Sequence, residues 1–260
     1  MNRLLAVCGL LAVLALSGCG AASNRSQADQ DRDGRMLAAA IQAADAQGVG
    51  FSLDESLVLT GGDVPSGQEF SVRASSSDGV ARDGKTRFTY RVQSGGGGLV
   101  YEMVTTETQL FARRKGSTPW LTTPLAATTS FFPALRLELL RETVLLAGSV
   151  AGPSLARVPA GLARKYVVKP APDQLEQLQG VSVQGQSEAA FLKSAGAEVH
   201  VFLALTGDHL ERLEVHLAGT DPSSGARQRV DSSLDVRSAR VGTIKPPDAA
   251  TSVPPENIFG

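Results

Sequence analysis

The sequence predicts an α+β fold in which one antiparallel sheet is packed against a few helices. Three observations carry that expectation. Segments of alternating polar and apolar residues follow one another through most of the chain. The turns between them are too short for parallel crossovers. One segment, Ser130 to Ala147, instead repeats its apolar residues at helical spacing, in a stripe too wide to be covered from one side. The chain has 260 residues, 42% of them hydrophobic, which suffices for a real core, and no linker divides it.

The first segment is a leader. Arg3 is the only charge before Cys19, and the apolar run Leu4 to Leu16 is too short to span a bilayer as a helix. A basic start, a short apolar core and small residues at its end make a secretory signal peptide. It closes in Leu16-Ser17-Gly18-Cys19, which resembles the lipobox of bacterial lipoproteins. That resemblance implies cleavage before Cys19 and a diacylglycerol on its thiol. The mature chain is then lipid-anchored on the outer face of the cytoplasmic membrane, or beyond it. Residues 1–18 are the signal peptide on this reading, and 19–33 a lipidated tether. Ala21 to Asp33 is small, polar and charged, as a flexible tether should be.

The folded domain is expected over 34–260. Met36, Leu37, Ala40, Ile41 and Ala44 recur at helical spacing, and Gly48 ends a helix predicted from Gly34 to Gln47. The period then changes to two. Strands are expected over Phe51 to Leu59, Glu69 to Ala74, Thr86 to Val92, Leu99 to Thr105 and Gln109 to Arg114, with turns at Gly61-Gly62, Asp78-Gly79, Asp83-Gly84 and Gly95 to Gly98. Trp120-Leu121 opens a short strand after the Gly116 turn, and the hydrophobic helix follows with Pro133 in its first turn. Gly148 to Gly161 reads as a loop and Leu162 to Pro170 as a strand. Asp173 to Gln179 and Ser187 to Ala195 read as short helices. Ala197 to Thr206 and Leu210 to Ala218 form a hairpin about Gly207-Asp208. Gln228 to Ala239 is a last strand, before a proline-rich tail.

Composition narrows the function. There are 25 basic and 26 acidic residues; without Arg3 the mature balance is 24 against 26, a net of −2. No long basic run exists, so no nucleic-acid partner is expected. Cys8 lies in the leader and Cys19 is the lipid site, which leaves no cysteine for a disulfide, a nucleophile or a metal.

The element order behind a lipobox resembles the mycobacterial LppX/LprG lipoproteins and, more distantly, the lipoprotein carrier LolA. A helix precedes the first long strand, and a glycine-bounded turn leads to Thr118-Pro119-Trp120-Leu121. The hydrophobic helix follows, and the chain ends in a hairpin, one more strand and Val253-Pro254-Pro255. The resemblance implies a strongly curved sheet, a half-barrel, with helices on its concave side, and a carrier of lipids with no catalytic residues and no cofactor. A concave face of that width is not filled by strand side chains alone. A cavity left there suits acyl chains, at about 0.8 kcal/mol per buried methylene. Trp120, Phe131, Phe132, Leu135 and Leu139 are the candidate lining residues; Phe131 and Phe132 either gate the cavity or pack as ordinary core.

Other constellations read as structure. Asp29-Gln30-Asp31-Arg32-Asp33-Gly34 is half of a calcium loop, but its twelfth position is Ala40. His200, His209 and His216 share one hairpin and match no zinc spacing; His200 and His216 are expected on its solvent-facing row. No G-x-S-x-G occurs, and no Gly-Lys-Ser/Thr follows either glycine run. The expected protein is therefore not an enzyme and holds no metal. It binds a lipid or other hydrophobic molecule at the envelope, or it uses the same fold to bind an envelope protein as a scaffold or stress sensor.

Overall fold

The computed structural model describes residues 25–62, 68–94, 97–125, 133–171, 196–220, 225–254 and 257–259. The expected helices Asp173 to Gln179 and Ser187 to Ala195 lie outside the described residues, as do Cys19, Phe131 and Phe132. No described helix is long and apolar enough to cross a membrane.

Helix α1 spans Gln27–Gln47, so it starts before the expected Gly34 and takes in much of the presumed tether. The cause is local. Ser26 caps the helix, its Oγ accepting the Asp29 N–H at 3.2 Å. The charges that suggested a tether lie on the helix surface, except Asp33, which is buried against Arg25 at 2.5 Å. The half calcium loop is thus helical. Leu37, Ile41 and Ala44 form the buried face, and Gly48 ends the helix in the left-handed region at φ 79°.

The strands are β1 (Val49–Thr60), β2 (Phe70–Arg82), β3 (Lys85–Ser94), β4 (Gly97–Thr105), β5 (Gln109–Arg114) and β6 (Leu121–Pro124), followed by β7 (Ser149–Val158), β8 (Gly161–Lys169), β9 (Gly196–Ala204), β10 (Leu210–Thr220), β11 (Arg227–Ser238) and β12 (Thr251–Ser252). They make one twelve-stranded open sheet in the order β12-β6-β5-β4-β3-β2-β1-β11-β10-β9-β8-β7. All pairings are antiparallel except β12 on β6. Two meanders, β1–β6 and β7–β11, therefore meet where β1 pairs with β11. Gly148 to Gly161 is not the expected loop: β7 occupies it and pairs with β8.

The helical segment after β6 is a 3-10 turn, Pro133–Leu135, and α2 (Leu137–Leu145). Both helices lie on the concave face of this half-barrel. α1 packs on α2 and touches β2, β7 and β10; the 3-10 turn touches β10 and β11. Gly34 sits at the helix crossing, where a Cβ would come within 3.1 Å of the Val144 carbonyl.

One core runs along this face, from Phe88, Tyr101 and Leu110 through Phe51 and Leu53 to Leu234, Leu213, Val201 and Val168, joined by Leu37, Ile41, Leu140 and Val144. Each such side chain contributes about 1.5–3 kcal/mol by leaving water. Gly79 lies at the β1–β2 bulge under the Phe51 ring, which occupies the place a Cβ would take.

The C-terminal segment joins both faces. Val241 and Ile244 cover Val104, Phe111 and Trp120 on the outer side. The chain then pairs with β6, and Ile258 and Phe259 enter the inner core, where Tyr101 Oη donates to the Phe259 carbonyl at 2.8 Å.

Candidate functional site

Strand alternation gives the two faces of the sheet different chemistry. On the helix-bearing face Leu135 is buried and Leu139 partly buried, both within the main core. Trp120 is not with them. It lies on the outer face, its ring 4.7 Å below the Arg113 guanidinium.

Along the inner face, the apolar row of the central strands is crossed by a polar stitch. Glu55 accepts hydrogen bonds from Tyr90 Oη and Ser232 Oγ, each at 2.9 Å. Burial, and then the Glu55 carboxylate, push the Tyr90 hydroxyl well above its usual pKa. On one side of this stitch Phe51, Leu53 and Phe88 are buried. On the other, the cover thins. Leu57, Leu59, Val72 and Val92 are only half-buried, and Phe70 and Leu99 are 46% and 37% exposed. Register puts these on one face: Leu57 pairs with Val72, Leu59 with Phe70, and Val92 with Leu99. Among the described residues the inner face therefore ends in a partly exposed apolar mouth on β1–β4.

The outer face of the central strands is polar. Asp54, Arg73, Arg91, Arg212, Glu214 and His216 line an open groove of about 450 Å³. At its edge the hairpin histidines form a cluster with Glu214. His200 and His216 do point away from the apolar row, but His200 is buried, at 9% exposure. Glu214 Oε2 lies 3.0 Å from His200 Nδ1 and 3.4 Å from His216 Nε2. These hydrogen bonds, His200 first, hold the Glu214 carboxyl well below the usual carboxylate range despite its burial. The bond to Glu214, ahead of that to Asp231, raises the His216 pKa against the opposing effect of burial. His209 is not in this cluster.

The signal that could have located the cluster is register. A bulge between Leu210 and Arg212 shifts the hairpin by one residue, so His200 pairs with Glu214 instead of Leu213.

No protein-family model matches the sequence, and no curated protein matches it significantly. Solved structures are similar in fold. LprF from Mycobacterium bovis is 12% identical, with 84% of this chain and 98% of that chain covered and a TM-score of 0.40. The lipoprotein LppX of Mycobacterium tuberculosis is 12% identical over 82% of this chain and 95% of its own, with a TM-score of 0.42. A LolA-superfamily protein from Nitrosomonas europaea is 8% identical over 78% of this chain and 93% of its own, with a TM-score of 0.30.

Proposed function

We propose that this chain is an envelope lipoprotein, anchored through Cys19, that takes up a lipid or another hydrophobic ligand between its sheet and helices. The observation that carries the reading is the apolar mouth formed by Leu57, Leu59, Phe70, Val92 and Leu99. It is continuous with the inner core and left partly in water. Contiguous exposed apolar surface marks a place where something apolar docks. An acyl chain entering there extends the existing core and requires no hydrogen-bonding motif, while the Glu55–Tyr90–Ser232 stitch supplies a polar feature along its path.

A second reading rests on a different surface. Leu155 and Leu162, 71% and 53% exposed on the β7–β8 hairpin, share the inner-face row at the far end of the sheet. They suit a protein partner at the edge strand.

Native mass spectrometry of the protein before and after exposure to mixed phospholipid micelles separates the two. The parent protein is expected to gain the mass of bound lipid. Phe70→Asp/Leu99→Asp, which places charge at the mouth where both residues are already part-exposed, is expected to lower uptake at least tenfold with an unchanged fold. Leu155→Asp should bind lipid like the parent. A parent protein that acquires no lipid overturns the carrier reading and leaves partner binding ahead.

A further inference from the structure

We infer that His200, Glu214 and His216 form a binding site for one divalent transition-metal ion, with zinc the ion its ligand set fits best. The site lies on the outer face and is independent of lipid binding. One ligand atom from each of the three residues lies within 4.8 Å of the other two. Tetrahedral ligands held at about 2.0–2.1 Å from zinc stand roughly 3.3 Å apart. The distances from Glu214 Oε2 to His200 Nδ1 and His216 Nε2, 3.0 and 3.4 Å, already match that edge. Two imidazoles and a carboxylate are a borderline set that favours zinc over calcium or magnesium.

The outer shell is built as metal sites require. A ligating histidine usually gives its other ring nitrogen to a carboxylate, which fixes tautomer and orientation. Both do so here: His216 Nδ1 lies 2.7 Å from Asp231 Oδ1, and His200 Nε2 lies 3.2 Å from Glu198 Oε2. The spare oxygen of Glu214 is held too. Arg212 Nε donates to Oε1 at 2.8 Å, and Arg212 Nη1 is tied to Asp235 at 2.8 Å. Glu214 Oε2 is thus aimed at the histidines.

Proton counting favours an ion in that position. Four imidazole nitrogens each face a carboxylate oxygen. A neutral imidazole carries one N–H, so two neutral rings satisfy only two of the four contacts. Satisfying all four with protons requires two imidazolium cations whose ring centroids stand 4.6 Å apart. A divalent ion replaces the two inner protons at equal charge and leaves the outer two N–H groups on Asp231 and Glu198. The surrounding charge suits a cation: Glu198, Glu214, Asp231 and Asp235 outnumber their partners Lys169, Arg212 and Arg229. Glu214 and His216 line the open groove, so water can supply the fourth ligand.

The test uses the full chain purified in detergent, stripped with chelator and titrated with Zn²⁺ by calorimetry, with Co²⁺ as a spectroscopic stand-in. One ion per chain is expected, with a tetrahedral Co²⁺ spectrum from nitrogen and oxygen ligands. His200→Ala and His216→Ala should each weaken binding about a hundredfold or more, and His209→Ala should leave it unchanged. Asp231→Asn, which preserves shape, should weaken it about 10–100-fold. The proposal is overturned if the parent binds no ion at millimolar Zn²⁺, or if His209→Ala weakens binding as much as His216→Ala. Should the histidine variants fail to fold, unchanged affinity in Asp231→Asn overturns it as well.

Discussion

Replacing Arg25 with alanine should destabilise the domain far more than loss of a residue ahead of its first helix would suggest. Arg25 Nη2 lies 2.5 Å from Asp33 Oδ2, and the two side chains are 19% and 8% exposed. Among the described residues the only other cation on that carboxylate is Arg32, at 3.7 Å and 67% exposed, which makes it a weak substitute. Breaking a buried ion pair from one side costs about 3–5 kcal/mol, because the remaining charge stays buried. Arg32 can partly follow, so the lower end, about 3 kcal/mol, is expected. For a domain of this size that is about 6–12 °C in thermal midpoint. Removing both charges, in Arg25→Ala/Asp33→Ala, should cost less than Arg25→Ala alone. The assay is urea denaturation followed by circular dichroism on both singles and the double. Arg25→Ala within 0.5 kcal/mol of the parent, or a double mutant equal to the sum of its singles, would refute the reasoning.

Two further outcomes are expected. Asp45 accepts the Gly84 N–H through both carboxylate oxygens, at 3.1 and 2.9 Å, yet burial raises its pKa above 3.8. Its protonated form is thus favoured in the folded state, so its contribution is complete below the unfolded value and lost as pH rises through the folded one. Asp45→Asn keeps an acceptor for Gly84. Its melting temperature should equal the parent's near about pH 3 and exceed it near pH 7; a constant difference across that range would count against the assignment. Cys19→Ala should move the protein from the membrane fraction to the soluble one, and persistence in carbonate-washed membranes would exclude the proposed anchor.

The alternating strands were legible because their pattern is strong. Thr86 to Val92 puts Phe88, Tyr90 and Val92 on one side, and that side is the core. The start of α1 was hidden because its first two turns are charged and their one buried acid is matched to Arg25, a pairing with no hydrophobic period. Ser26, a good capping residue, was the available clue. β7 looks like a loop in sequence because Gly152-Pro153 interrupts it and Leu155 stays in water, so little apolar alternation remains. The turn before Trp120 does not say which face follows; the packing of Val241 and Ile244 decides that. The histidine cluster depends on a one-residue bulge at Glu211, and nothing in local composition announces it.

The seam between β1 and β11 also sets an order in time. Val49 is hydrogen-bonded in register with Ser238, at the middle of the sheet. The first meander can form its own hairpins early, but its partner strand β11 is made only after β7–β10. Ile258, later still in sequence, also enters the core. Pairings between residues so distant in sequence are slow to form, because a long loop must close before any contact compensates for it. A nascent chain of this kind keeps its central ladder open until both meanders have been made.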